Sequence, residues 1–163
     1  MTSLCCKVLD AFAGETLATA ESCTGGGIGA ALTAIPGSSS VYKGGVICYS
    51  NWVKSNVLGV PQALLDCHGP VSALVAEAMV IGVRKLLKAD AAVSVTGLAG
   101  PGGDEYGNPV GTVYVGCSVG DMTKVMKFTF EGDREIVRSA AQKAAMQMLL
   151  SMKKESPSKD HVS

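Results

Sequence analysis

The sequence has 163 residues, enough for one domain with one substantial core, and its 47% apolar and 17% charged content is that of a globular chain. Fourteen basic and fourteen acidic residues give zero net charge, which excludes the electrostatic footprint of a dedicated nucleic-acid binder. Twenty glycines speak against a helical bundle and for turns where backbone closely approaches backbone or ligand.

In chain order, residues 3–12 carry apolar side chains at helical spacing and predict a first helix. Residues 16–20, partly β-branched and ending at Glu21-Ser22, read as a strand. Ser22 or Thr24 can then cap a glycine-rich helix that reaches Thr33 and stops before Pro36-Gly37. Residues 46–50 form the next strand, and Asn51 is placed to cap a short helix over 52–58, ended by Gly59. Over 71–88, Leu74, Val75, Met79, Val83, Leu86 and Leu87 oppose Glu77, Arg84 and Lys85, an amphipathic helix capped by Ser72. The apolar run 91–95 reads as a strand covered on both faces. A turn-rich loop, TGLAGPGGDEYGNPVG, leads to strands over 112–119 and 124–130, joined in hairpin fashion at Gly120-Asp121. Asp133 caps a last helix in which Val137, Ala141, Ala144, Met148 and Met152 recur at steps of three and four. The expected architecture is a three-layer α/β/α domain with a mixed β-sheet over residues 1–154, and the polar stretch 155–163 is expected to be a disordered tail.

The six cysteines (Cys5, Cys6, Cys23, Cys48, Cys67 and Cys117) form no CxxC pair, and only His68 and His161 could join them, so neither a zinc site nor another metal is expected. Cys48 and Cys117 lie in apolar runs and read as small buried hydrophobes. With no leader pattern and no apolar run near about 18 residues, the expectation is a cytoplasmic chain with reduced thiols and no membrane partner.

Three stretches could carry chemistry. ESCTGGG (residues 21–27) turns from strand to helix through glycines, which exposes N–H groups to an anion, although the same pattern also serves as a plain helix cap. In PGSSSVYKGGVICYSNWVK (residues 36–54), serine hydroxyls precede one lysine. A serine needs a base, and lysine serves if burial or nearby positive charge lowers its pKa. With Asn51 as cap, Lys54 falls at the third helical position, where the dipole disfavours the ammonium and Trp52, Val53 and Val57 could desolvate it. Tyr49 could relay a proton. The alternative is a polar loop and a solvated lysine. The loop from Thr96 to Thr112 follows a buried strand, the usual place for ligand loops in open α/β sheets, and Arg134 at a helix start could meet a phosphate.

Taken together, ESCTGG (21–26), PGSS (36–39), YSNWVK (49–54), LGV (58–60), HGPVS (68–72), TGLAGPGG (96–103) and PVGTVY (109–114) resemble, in order and spacing, the CinA carboxy-terminal domain family. That family includes stand-alone nicotinamide-nucleotide amidohydrolases, and the resemblance implies the one-domain form. It implies hydrolysis of the carboxamide of nicotinamide mononucleotide, giving nicotinate mononucleotide and ammonia, by serine–lysine chemistry without metal or cofactor. Carried over, Ser39, Lys54 and Tyr49 are catalytic, with Lys54 taking the Ser39 proton and Ser22 as the next choice of nucleophile. Ser22, Thr24, Gly25, Gly26, Thr96, Gly97 and Arg134 bind substrate, with the phosphate on Arg134 or the Gly25-Gly26 helix start. A homo-oligomer is expected. Asn108 stands where the family usually has a lysine, which could alter substrate choice. The rival readings are a non-catalytic nucleotide-binding domain and an amidase for another small carboxamide.

Overall fold

The computed structural model describes residues 1–157. The chain runs through α1 (Thr2–Ala11), β1 (Leu17–Glu21), α2 (Gly27–Thr33), a 3-10 turn (Ser38–Ser40) and β2 (Tyr42–Ile47). It continues through α3 (Asn51–Asn56), α4 (Gln62–His68), α5 (Ala73–Leu87), β3 (Ala91–Gly97), β4 (Thr112–Val119), β5 (Met122–Thr129) and α6 (Arg134–Glu155). The strands form one mixed sheet in the order β2-β1-β3-β4-β5. β1 pairs parallel with β2 and β3, while β3–β4 and β4–β5 are antiparallel.

Period-two alternation sends β1 side chains into two different cores. Leu17 joins Val93, Val95, Val113 and Val115 under α1, α2 and α6. Ala18, Ala20 and Ala92 face the other way, toward Val75, Met79 and Val83 of α5 and Leu58, Val60 and Leu65 beside α3 and α4. Each such aliphatic side chain contributes about 1.5–3 kcal/mol on full burial. The small residues let α5 lie close to the sheet: a Cβ at Gly116 would stand 2.7 Å from Ala76 O. The three-layer α/β/α arrangement with a mixed sheet is thus the one expected. Among the described residues no helix is long and apolar enough to cross a membrane.

Four local expectations are corrected. β2 begins at Tyr42 rather than 46, because residues 42–47 alternate half-buried and exposed, as suits an edge strand with Gly44 and Gly45 in it. Ser50, not Asn51, caps α3 by accepting from Val53 N, and α4 is an additional helix that no cap or periodicity signalled. The α2 N-cap is Gly26, with no side-chain cap from Ser22 or Thr24. Leu74 and Leu86 lie on the solvent side of α5, 46% and 49% exposed. Asp133 and Ser72 cap as expected. The expected tail is helical as far as Glu155, and its last part, residues 158–163, lies outside the described residues.

From β1 the chain crosses to β2 on one side and later to β3 on the other. The carboxyl ends of β1 and β3 therefore flank a topological switch point, where open α/β sheets place their ligands. Ser22 and Thr96 stand there, with Cys48 just past the end of β2.

Candidate active site

Lys54 is the fourth residue of α3, and its side chain runs inward until only 1% of it is exposed. Its Nζ donates to Ser22 Oγ (3.0 Å), Cys48 O (2.7 Å) and Tyr49 O (3.5 Å). The ion pairs among the described residues are Lys124–Glu155 and Lys153–Glu15, so no carboxylate balances this amine. Burial accordingly lowers the Lys54 pKa from the ordinary lysine value. Desolvation is the leading cause, and in this six-residue helix Lys54 also belongs to the last turn, away from the positive end of the dipole. The neighbouring thiols are no rival nucleophiles: burial pushes Cys23 and Cys48 up to about 11.

The turn that presents Ser22 is held from two sides. Glu21, 2% exposed, accepts from Thr24 Oγ1 (2.8 Å), Ile28 N (2.8 Å) and Gly29 N (3.1 Å). The first amides of α2 thus already have an internal anion, which corrects the expectation that the Gly25-Gly26 helix start holds a substrate phosphate. From the opposite side Arg138 donates through Nε to Cys23 O (3.0 Å) and through Nη2 to Thr24 O (3.3 Å). Ser22 N is bonded to Val95 O (2.9 Å), whereas Cys23 N finds no acceptor among the described residues.

A cavity of about 300 Å3 opens over this pair, lined by Ser22, Cys23, Tyr49, Lys54, Thr96, Gly97, Arg134 and the 98–102 loop. Thr24, Gly25 and Gly26 lie outside it: Thr24 is fully buried against Glu21, a Gly25 Cβ would face Arg138 at 3.7 Å, and a Gly26 Cβ would face Ile47 at 3.1 Å. Thr96 spends its hydroxyl proton on Pro70 O (2.7 Å). Gly97 leaves no room for a side chain, since a Cβ would stand 2.8 Å from Thr112 O. At the cavity mouth Arg134 donates to Gly100 O (2.7 Å) and to the Tyr49 hydroxyl (3.2 Å). The Tyr49 hydroxyl thus orients the arginine, and only its backbone carbonyl faces Lys54, which displaces the proton-relay role expected of it. Asn108 binds Asp104 Oδ2 (2.7 Å) and Val71 O (3.2 Å), stitching the loop rather than facing the cavity.

The Ser39 assignment needs the largest correction. Ser39 is exposed in the 3-10 turn that precedes β2, whereas Lys54 follows that strand. The six residues of β2 place roughly 20 Å between them, at about 3.3 Å per residue, so within one chain the hydroxyl beside the amine is Ser22. Sequence reasoning also missed Arg138 and Glu21 as the braces of the turn. The acidic residue ending β1 just before glycines was the one available hint, and nothing local marked an arginine more than a hundred residues away.

A serine hydroxyl touching a buried amine thus stands at the carboxyl ends of parallel strands on a three-layer α/β fold. The model of the CinA C-terminal domain matches residues 3–153, and the chain belongs to that family. A CinA-like protein of Geotalea uraniireducens is 47% identical over 136 residues, 83% of this chain and 32% of its own length. One from Synechococcus sp. (strain CC9311) is 62% identical over 102 residues, 63% of this chain and 24% of its own length. The chain thus spans about a quarter to a third of the curated relatives it matches. Among solved structures, a CinA superfamily protein from Klebsiella pneumoniae 700603 superposes with a TM-score of 0.92 at 36% identity, covering 95% of this chain and 98% of that one. The competence/damage inducible protein of Agrobacterium tumefaciens gives 0.89 at 35% identity, covering 93% and 94%.

Proposed function

We propose that the chain is an amidohydrolase that cleaves the carboxamide of nicotinamide mononucleotide, with Ser22 as nucleophile and Lys54 as base. The observation that carries this reading is the 3.0 Å contact between Lys54 Nζ and Ser22 Oγ inside a site that holds no counter-charge for the amine. In the neutral amine, Cys48 O and Tyr49 O engage the N–H groups and leave the lone pair for the serine proton, so the same contact runs in the opposite sense. Ser22 Oγ attacks the carboxamide carbon as its proton passes to Lys54. The N–H of Cys23, next in the chain and lining the cavity, meets the oxyanion. Lys54 then protonates the departing ammonia, and a water deprotonated by the same amine cleaves the acyl-serine. Arg134 at the mouth meets the phosphate of the nucleotide, with Tyr49 and Gly100 O fixing its guanidinium.

Ammonia release from nicotinamide mononucleotide by purified protein, without added metal, tests this directly. The wild type releases ammonia from the nucleotide in preference to free nicotinamide, and Lys54→Ala loses roughly a hundredfold or more of that rate. Equal turnover of free nicotinamide removes the phosphate role of Arg134. An inactive wild type leaves the fold as a nucleotide-binding domain.

A further inference from the structure

An amine held uncharged is itself a nucleophile toward carbonyl carbon, and desolvated lysines form imines with aldehydes and ketones. Lys54 lines the cavity over Ser22 while only 1% exposed, and no carboxylate among the described residues pairs with it. Two backbone oxygens, Cys48 O at 2.7 Å and Tyr49 O at 3.5 Å, take its N–H groups. The remaining direction faces Ser22 Oγ at 3.0 Å, and Ser22 opens onto the same cavity.

The charge at the other end of the cavity says what fits it. Among the described lining residues Arg134 is the one permanently charged side chain, and no carboxylate accompanies it. Gly100 O and the Tyr49 hydroxyl fix the guanidinium at 2.7 and 3.2 Å. Both acceptors are neutral, so the charge stays available to an anion. Tyr49 measures the distance between the two groups, since its backbone oxygen meets Lys54 and its ring hydroxyl meets Arg134. A ligand that satisfies both ends carries a carbonyl and an anionic group about one tyrosine side chain apart.

We propose that this cavity captures small phosphorylated aldehydes, with Lys54 forming an imine to the aldehyde carbon and Arg134 holding the phosphate. The Lys54 lone pair adds to the carbonyl carbon, and one amine proton passes to the former carbonyl oxygen. Ser22 Oγ stands where it can carry that proton. The carbinolamine expels hydroxide as its nitrogen forms the C=N bond, leaving a protonated imine whose N–H stays on Cys48 O. The inference rests on the proposed function only in taking the amine as uncharged, and it needs no amide cleavage. The imine withholds the lone pair from Ser22, so capture and amide cleavage exclude each other.

Treatment of the purified protein with pyridoxal phosphate near neutral pH, borohydride reduction and peptide mass spectrometry test the capture. One reduced adduct per chain is expected on Lys54, at concentrations that leave the exposed lysines largely unlabelled, and Lys54→Met loses it. Pyridoxal, which lacks the phosphate, labels Lys54 roughly tenfold less efficiently. Arg134→Ala, a change at an exposed side chain, removes that difference. Labelling confined to surface lysines, equal labelling of Lys54 by the two aldehydes, or a preference that survives Arg134→Ala each overturns the proposal. A protein that releases ammonia from nicotinamide mononucleotide but leaves Lys54 unlabelled removes this inference and keeps the amidohydrolase reading. A protein labelled at Lys54 that releases no ammonia does the reverse.

Discussion

Two serine-bearing turns sit at opposite ends of the same sheet. ESCTGGG leaves the carboxyl end of β1, and PGSSS enters the amino end of β2. Both contain left-handed glycines, Gly25 and Gly26 in one and Gly37 in the other. Their surroundings differ. The first is gripped by the buried Glu21 carboxylate and by Arg138 from α6, and its serine touches a buried amine. The second is held largely by its own residues, with Ser40 bonded back to Gly37 O at 2.9 Å and Ser39 exposed. Composition made the two turns look alike, with the triple serine the stronger attraction. Position relative to the strand ends separates them: only the first lies beside the buried amine.

That contrast can be broken or sharpened by substitution. The largest effect is expected at the nucleophile: Ser22→Ala should lower ammonia release by roughly a thousandfold or more, while Ser39→Ala stays within about twofold of wild type. The reverse ranking would return the chemistry to the second turn. Next comes the brace. Arg138→Ala removes both donors to the turn and should lower kcat by about ten- to a hundredfold with a smaller change in KM, since misplacing a reacting group by about 1 Å costs on that scale. Arg138→Lys, which keeps one donor, should recover part of the loss. An unchanged kcat in Arg138→Ala would mean that Glu21 alone holds the turn.

The smallest effect is on stability. Lys54 has a lower pKa folded than unfolded, so the unfolded chain binds more protons between the two values. In that window stability rises with pH, by at most about 1.4 kcal/mol per pH unit from this one group. Urea denaturation of wild type and Lys54→Met across the alkaline range should show this rise in the difference between the two. A flat difference would mean that the amine keeps its ordinary pKa in the folded chain.

Much of the frame was legible because it rests on local chemistry. The hairpin at Gly120-Asp121, the caps Ser72 and Asp133, and the continuous apolar run of β3 are each written in a few consecutive residues. Lys54 was legible for a related reason, a lone lysine among apolar neighbours just after a strand. What stayed hidden depends on distant parts of the chain. The pairing of Lys54 with Ser22 spans 32 residues and exists because β1 and β2 lie side by side in parallel. Motif order along the chain cannot show which end of a strand a turn occupies, so a serine carried over from the PGSS block and one in ESCTGG cannot be ranked by their distance from Lys54 without the fold. The outward leucines of α5 were hidden for another reason: a stripe wide enough for the core also reads as one that spills onto the surface.

The central claim is that Lys54 is an uncharged amine at working pH. Titrating the lysine Cε resonances by 13C NMR, with Lys54→Met to assign the signal, measures this in the folded protein. The expected result is one lysine titrating well below the rest and absent from the variant. A Lys54 signal that titrates with the surface lysines would contradict the account.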